Sequence, residues 1–224
     1  MKALLYKEFR LAMHPICYLF IFLFPFMILI PNYPLAISFI SILSTYPILF
    51  LGANKGQQSN DLLYSTLMPV RKKDIVLARI ITVITIQVVS ILIQAALVPL
   101  AILLNGNVSK AGSVGIGLDG YVSMVAIVLI GYAIADLIYF SIYYKNGKSI
   151  VMSTLLMILG FIVYLSIFTI AIPYIPGCEW YTGILVDKGI GIQFAFLGGA
   201  ILISFILHFI VYKSASKELE KVDF

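Results

Sequence analysis

Asp136 is the one carboxylate set deep inside an apolar run of this chain. Lys145 closes the same stretch nine residues later, so Asp136 lies ~13 Å further in at ~1.5 Å per helical residue. A carboxylate at such depth in an apolar phase costs several kcal/mol unless it is paired or wetted, which makes it a functional-site candidate. Arg79 and His208 are the partners expected at similar depth. Two readings stay open for the cluster: a polar clasp between helices, or a contact to a transported molecule. Gly131 and Ala135, a small-x-x-x-small pair on the same stretch, favour close helix packing there.

Other residues invite chemistry and do not complete it. His14 and His208 stand apart, with no paired helical metal ligands and no H-E-x-x-H pattern. Intramembrane proteolysis would need such ligands or a carboxylate pair. Gly147-Lys148-Ser149 imitates the end of a phosphate-binding loop, but the glycine required five residues earlier is Ile142. Gly112 to Gly117 has the wrong spacing for a dinucleotide site. Asn107-Val108-Ser109 is a glycosylation sequon, with meaning only in a cell that uses it. The cysteines, Cys17 and Cys178, are expected on opposite sides of a bilayer, which excludes an intrachain disulfide.

The elements that position these residues follow from composition. The chain is 62% hydrophobic and only 11% charged, against about 25% charged for a soluble domain. It reads as an all-α polytopic membrane protein in one domain, 1–224, with no separate soluble part. Residues 1–15 form an amphipathic interfacial helix, with Leu4, Leu5, Phe9 and Ala12 on one face and Lys2, Lys7 and Arg10 available to the other. Basic residues precede the first span, yet no small-residue cleavage site follows it, so it is expected to be retained. Six spans are expected, at about 16–30, 35–51, 75–104, 121–143, 150–174 and 190–212, with a charged tail from 213. With the N-terminus in the cytosol, only Lys110 and Lys188 of the 15 Lys and Arg residues lie outside, leaving thirteen inside. The positive-inside rule therefore places both termini and the 52–73 loop in the cytosol.

That loop carries the longest polar interruption, Ser59 to Arg79. Ser59, Asn60 and Asp61 can accept the orphan N–H groups of a first helical turn. Leu62, Leu63, Leu67 and Val70 recur at helical spacing, with Tyr64, Ser65 and Thr66 among them. Pro69 stops the helix, because the residue before a proline is pushed out of the α region. Arg71, Lys72 and Lys73 make a basic corner, and Asp74 is expected to cap the next long helix. The same residues also suit an ordinary cytoplasmic loop whose basic groups serve topology alone.

With these residues in view, the chain resembles the permease subunits of ABC-2 type ATP-driven exporters. MKALLYKEFR is similar to the family's elbow helix, and NDLLYSTLMPVRKKDIVLAR to its coupling helix and the L-P-V-x-R-x-x-I-V-x-A-R run that follows. Met68 is inserted between Leu67 and Pro69, and Lys72 and Lys73 replace more varied residues. Within the family the chain looks most like the phenol-soluble modulin exporter permeases of Gram-positive bacteria, which move amphipathic peptides.

The resemblance implies the ABC-2 exporter fold in a bacterial plasma membrane, with no catalysis and no cofactor in this chain. ATP and magnesium would be bound by a dimeric ABC ATPase docked on Ser59, Asn60, Asp61, Leu62, Leu63, Tyr64, Leu67, Arg71 and Lys72. A second permease, a copy or a paralogue, would complete the route for an amphipathic peptide through the bilayer, and no nucleic acid partner is expected. A bacteriocin-immunity or drug-efflux permease, and a membrane sensor or scaffold that needs no ATPase, are the alternatives.

Overall fold

The structure is a computed structural model and describes residues 2–12, 25–26, 70–105, 121–146, 150–167 and 190–221. All described elements are helical. A short helix α1 (Lys2–Lys7) continues into a π-helical turn, Glu8–Ala12. Four longer helices follow: α2 (Lys72–Asn105), α3 (Tyr121–Asn146), α4 (Ile150–Ser166) and α5 (Ile190–Glu220).

Three of these are long and apolar enough to cross a membrane, over Lys72–Leu97, Val125–Lys145 and Gly191–Glu220. Helices that are apolar on every side must bury themselves in protein or lipid, and a helix also satisfies its own backbone groups where water is absent. The apolar stretch of α4, Met152–Tyr164, is shorter. The expected first two spans fall outside the described residues, 25–26 excepted.

The helix ends differ from expectation in two places. Asp74 does not cap α2. The helix starts at Lys72, and the carbonyl of Arg71 accepts from the amides of Asp74 (2.9 Å) and Ile75 (3.4 Å), so Asp74 sits inside the first turn. There its negative charge faces the positive end of the helix dipole, which is favourable without capping. At the other end α5 continues to Glu220, where a charged tail was expected from 213. Val211, Ala215 and Leu219 recur every four residues and are buried, so the charged residues between them decorate an amphipathic continuation.

α3 is the centre of the bundle, packing on α5 and α4, while α2 packs on α5 and α3 and carries the N-terminal helix on its flank. Tyr132, Tyr139, Phe140, Phe161 and Met157 are fully buried at these contacts. Tyr139 stacks on Tyr143 with ring centroids 5.6 Å apart, and Phe140 on Tyr144 at 6.1 Å. The Tyr164 hydroxyl on α4 donates to the Ile127 carbonyl on α3 at 2.9 Å. A Cβ on Gly131 would meet Phe161 Cε2 at 2.7 Å, so the glycine lets α4 approach α3.

Only 17% of the α5 span is buried, against 61% for those of α2 and α3. Its outward side shows Leu202, Phe205, Ile206 and Phe209, a continuous apolar face suited to lipid.

Candidate functional site

Two buried polar nodes interrupt this apolar bundle. The first lies where the start of α2 meets the end of α3. Arg79 Nε and Nη2 donate to Glu8 Oε2 and Oε1 at 3.3 and 3.4 Å, and Nη1 donates to the Tyr143 hydroxyl at 3.4 Å. The two charged side chains are 8% and 5% exposed, so this is a buried, two-pronged ion pair. Its geometry follows from the local sequence. Glu8 falls four residues after the buried Leu4, on the face that α1 turns towards α2. Tyr143 is held by its stack on Tyr139. The node thus ties the N-terminal element to two spanning helices at one end of the bundle.

The second node is deeper. Asp136 on α3 is fully buried, and its Oδ2 lies 3.0 Å from His208 Nε2 on α5. The other ring nitrogen, Nδ1, lies 2.7 Å from the Ser204 carbonyl one turn back on α5. An imidazole engaged on both nitrogens is fixed in orientation, and the depth of Asp136 is matched by a partner from a neighbouring helix.

The sequence offered both Arg79 and His208 as partners for Asp136. The structure pairs Asp136 with His208 and commits Arg79 to Glu8 and Tyr143. Tyr143 lies seven residues, about two turns or ~10 Å, further along α3 than Asp136, so Arg79 serves a different level of the bundle.

Glu8 was missed by sequence reading, although its four-residue spacing from Leu4 is the signal that would have found it. Also missed was a polar stripe on α2: Gln87, Ser90 and Gln94, spaced by three and four residues, are all buried.

Arg71 is exposed and Lys72 half-buried at the start of α2. Beside them Lys73 Nζ meets Glu220 Oε1 of α5 at 3.1 Å, which brings the start of α2 next to the end of α5. The remaining expected docking residues, Ser59, Asn60, Asp61, Leu62, Leu63, Tyr64 and Leu67, lie outside the described residues. Among the described residues no three His, Cys, Asp or Glu side chains gather as a metal site.

The sequence profile of the ABC-2 family transporter proteins matches residues 3–217, nearly the whole chain and both polar nodes. The chain belongs to this family. It is therefore a membrane-embedded transport component, and ABC-2 permeases normally work with an ABC ATPase. Neither the search of curated proteins nor that of solved structures returned a match.

Proposed function

We propose that the chain is the permease subunit of an ATP-driven ABC exporter, building the route for amphipathic peptides of the phenol-soluble modulin kind. The family match over residues 3–217 is the observation that carries the exporter reading. ATP and magnesium belong to a separate ATPase dimer, and a second permease, copy or paralogue, completes the pathway in the bacterial plasma membrane with both termini cytoplasmic.

The ATPase docks on the helix expected at 59–71. Leu62, Leu63 and Leu67 share a helical face there, and a cytosolic face of leucines must be buried on lipid or on protein. Lipid favours basic residues flanking such a face, but this one starts with Asn60 and Asp61. An acidic start repels an anionic leaflet and suits a protein groove. Arg71 and Lys72 follow at the head of α2, and they pair with acidic groups of the partner or with lipid headgroups.

Force applied to this stretch passes directly into α2. From there the Glu8–Arg79–Tyr143 node spreads it to the N-terminal helix and α3. The Asp136–His208 bond carries it on to α5. Few charges and many aromatic side chains along the spans suit amphipathic cargo better than ionic cargo.

The double variant Leu63→Asp, Leu67→Asp tests the docking. Burying an unpaired charge costs several kcal/mol, enough to detach a partner, while no span is touched. The variant is expected to insert normally, lose the co-purifying ATPase and lose transport. Retention of both would remove the docking role.

A further inference from the structure

Asp136 and His208 meet in a way that fixes how many hydrogens they share. His208 Nδ1 lies 2.7 Å from the Ser204 carbonyl. A carbonyl oxygen only accepts, so Nδ1 carries a hydrogen and donates it. Nε2 lies 3.0 Å from Asp136 Oδ2, and that contact needs a hydrogen of its own. A neutral imidazole has one N–H to give, and an ionised carboxylate has none. With the hydrogen on Nδ1, the Nε2 lone pair would face a carboxylate oxygen. With the hydrogen moved to Nε2, the Nδ1 lone pair would face the Ser204 carbonyl. The Ser204 hydroxyl, 3.4 Å from Nδ1, is farther away than that carbonyl and would not relieve the clash. Both contacts are therefore made only when the pair holds a second hydrogen.

The second hydrogen also sets the charge. An imidazolium against a carboxylate, or a neutral imidazole against a carboxylic acid, carries no net charge. Without the extra proton the pair is left at minus one. The two side chains are 12% and 1% exposed and lie within spanning helices, where a lone charge is heavily penalised. His208 edges onto the groove between α2 and α5, which gives a proton a way in and out.

The neighbouring groups do not supply that proton. On α3, Tyr132 and Tyr139 lie one turn to either side of Asp136, and on α5 Tyr212 lies one turn beyond His208; tyrosines ordinarily titrate near pH ~10. Lys213 on α5 is exposed. The titratable residue of α4, Tyr164, donates to the Ile127 carbonyl. Across the groove α2 presents Leu77, Ile81, Ile84 and Gln87, none of which titrates, and its Arg79 is held by Glu8 and Tyr143.

We propose that the Asp136–His208 pair is a buried proton-binding site: with the proton bound it clasps α3 to α5, and without it the clasp opens. The inference stands on the geometry of the pair and not on the exporter reading. It is tested on the permease alone, so its failure leaves that reading untouched.

Asp136→Asn is the telling variant. Its side-chain amide can donate to Nε2 while Nδ1 donates to Ser204, so both contacts are made with no extra proton. Asp136→Ala offers Nε2 nothing. Equilibrium unfolding of the full chain in detergent is measured for the wild type and both variants between about pH 5.5 and 8.5, across the ordinary histidine range.

The folded wild type binds one proton more than folded Asp136→Asn, whereas the unfolded chains bind equally above about pH 5. Wild-type stability relative to Asp136→Asn therefore falls as pH rises. The ratio of the two unfolding constants should grow about tenfold per pH unit, until the proton leaves the folded pair and the wild type has dropped at least to the level of Asp136→Ala. A clasp of structural value alone would leave this ratio constant. If Asp136→Ala fails to fold, the wild type and Asp136→Asn decide the matter. If Asp136→Asn fails to fold, the gap between the wild type and Asp136→Ala decides it, closing at the same rate.

Parallel pH profiles for the wild type and Asp136→Asn would mean that no extra proton is bound and would overturn the proposal. So would a wild type that gains on Asp136→Asn as pH rises, or an Asp136→Asn chain no more stable than Asp136→Ala.

Discussion

Removing Glu8 is the sharpest perturbation the fold offers, because it strips a charge partner from Arg79 without touching a spanning helix. The pair is 8% and 5% exposed, and breaking a buried ion pair from one side costs about 3–5 kcal/mol, since the remaining charge is left uncompensated. For a chain of this size each kcal/mol moves the unfolding midpoint by about 2–4 °C. Glu8→Ala should therefore lower it by roughly 6–20 °C. Arg79→Ala should do the same, stranding Glu8.

The double variant removes both charges and should be about as stable as the weaker single variant. The shortfall from additivity, equal to the smaller single loss of about 3–5 kcal/mol, is the coupling between the two residues. Thermal unfolding of the purified chain in detergent measures all four corners of the cycle. Lys73→Ala is the control, because its bridge to Glu220 is about half exposed on both sides and such surface pairs are worth about 0–1 kcal/mol. Losses that add to within about 0.5 kcal/mol would refute the node as a joint structural unit.

Asp136→Ala leaves His208 Nε2 without its acceptor, a loss of about 1–3 kcal/mol, and should reduce both the unfolding midpoint and transport, whereas exposed Lys217→Ala should change neither. Wild-type stability and transport in Asp136→Ala would remove the clasp between α3 and α5. Gly131→Ala drives a Cβ to 2.7 Å from the buried Phe161 ring and should cost about 1–3 kcal/mol by overpacking. Gly160→Ala should cost less, because its Cβ meets the flexible tip of Ile138. Midpoints in the reverse order would contradict the close approach of α4 to α3.

What the sequence could and could not disclose follows from the range of each signal. The helical character of α2, α3 and α5 was legible from apolar runs longer than a bilayer requires. The need of Asp136 for a partner was legible from the cost of a lone carboxylate at depth, and His208 was one of two residues able to meet it. The choice between His208 and Arg79 was not legible, because it turns on Glu8, which is 71 positions away from Arg79 in sequence. Local spacing can put Glu8 on the face of Leu4 but cannot say what that face meets.

The end of α5 was obscured for a different reason. Lys213, Lys217 and Glu220 make the segment look like a solvated tail, and only the period of Val211, Ala215 and Leu219 reveals its buried side. Arg71 shows the limit of capping rules: its backbone carbonyl serves the first turn of α2, a role that any residue type can fill.

The central claim is that this permease moves amphipathic peptide by the work of a separate ATPase. Uptake of a fluorescent amphipathic helical peptide into inside-out membrane vesicles tests it most directly. The account predicts uptake when the permease, its ATPase and ATP are all present, and loss of uptake when any one is withheld or when the permease carries Leu63→Asp and Leu67→Asp. Equal uptake without the ATPase, or no ATP-dependent uptake by the assembled complex, would contradict it.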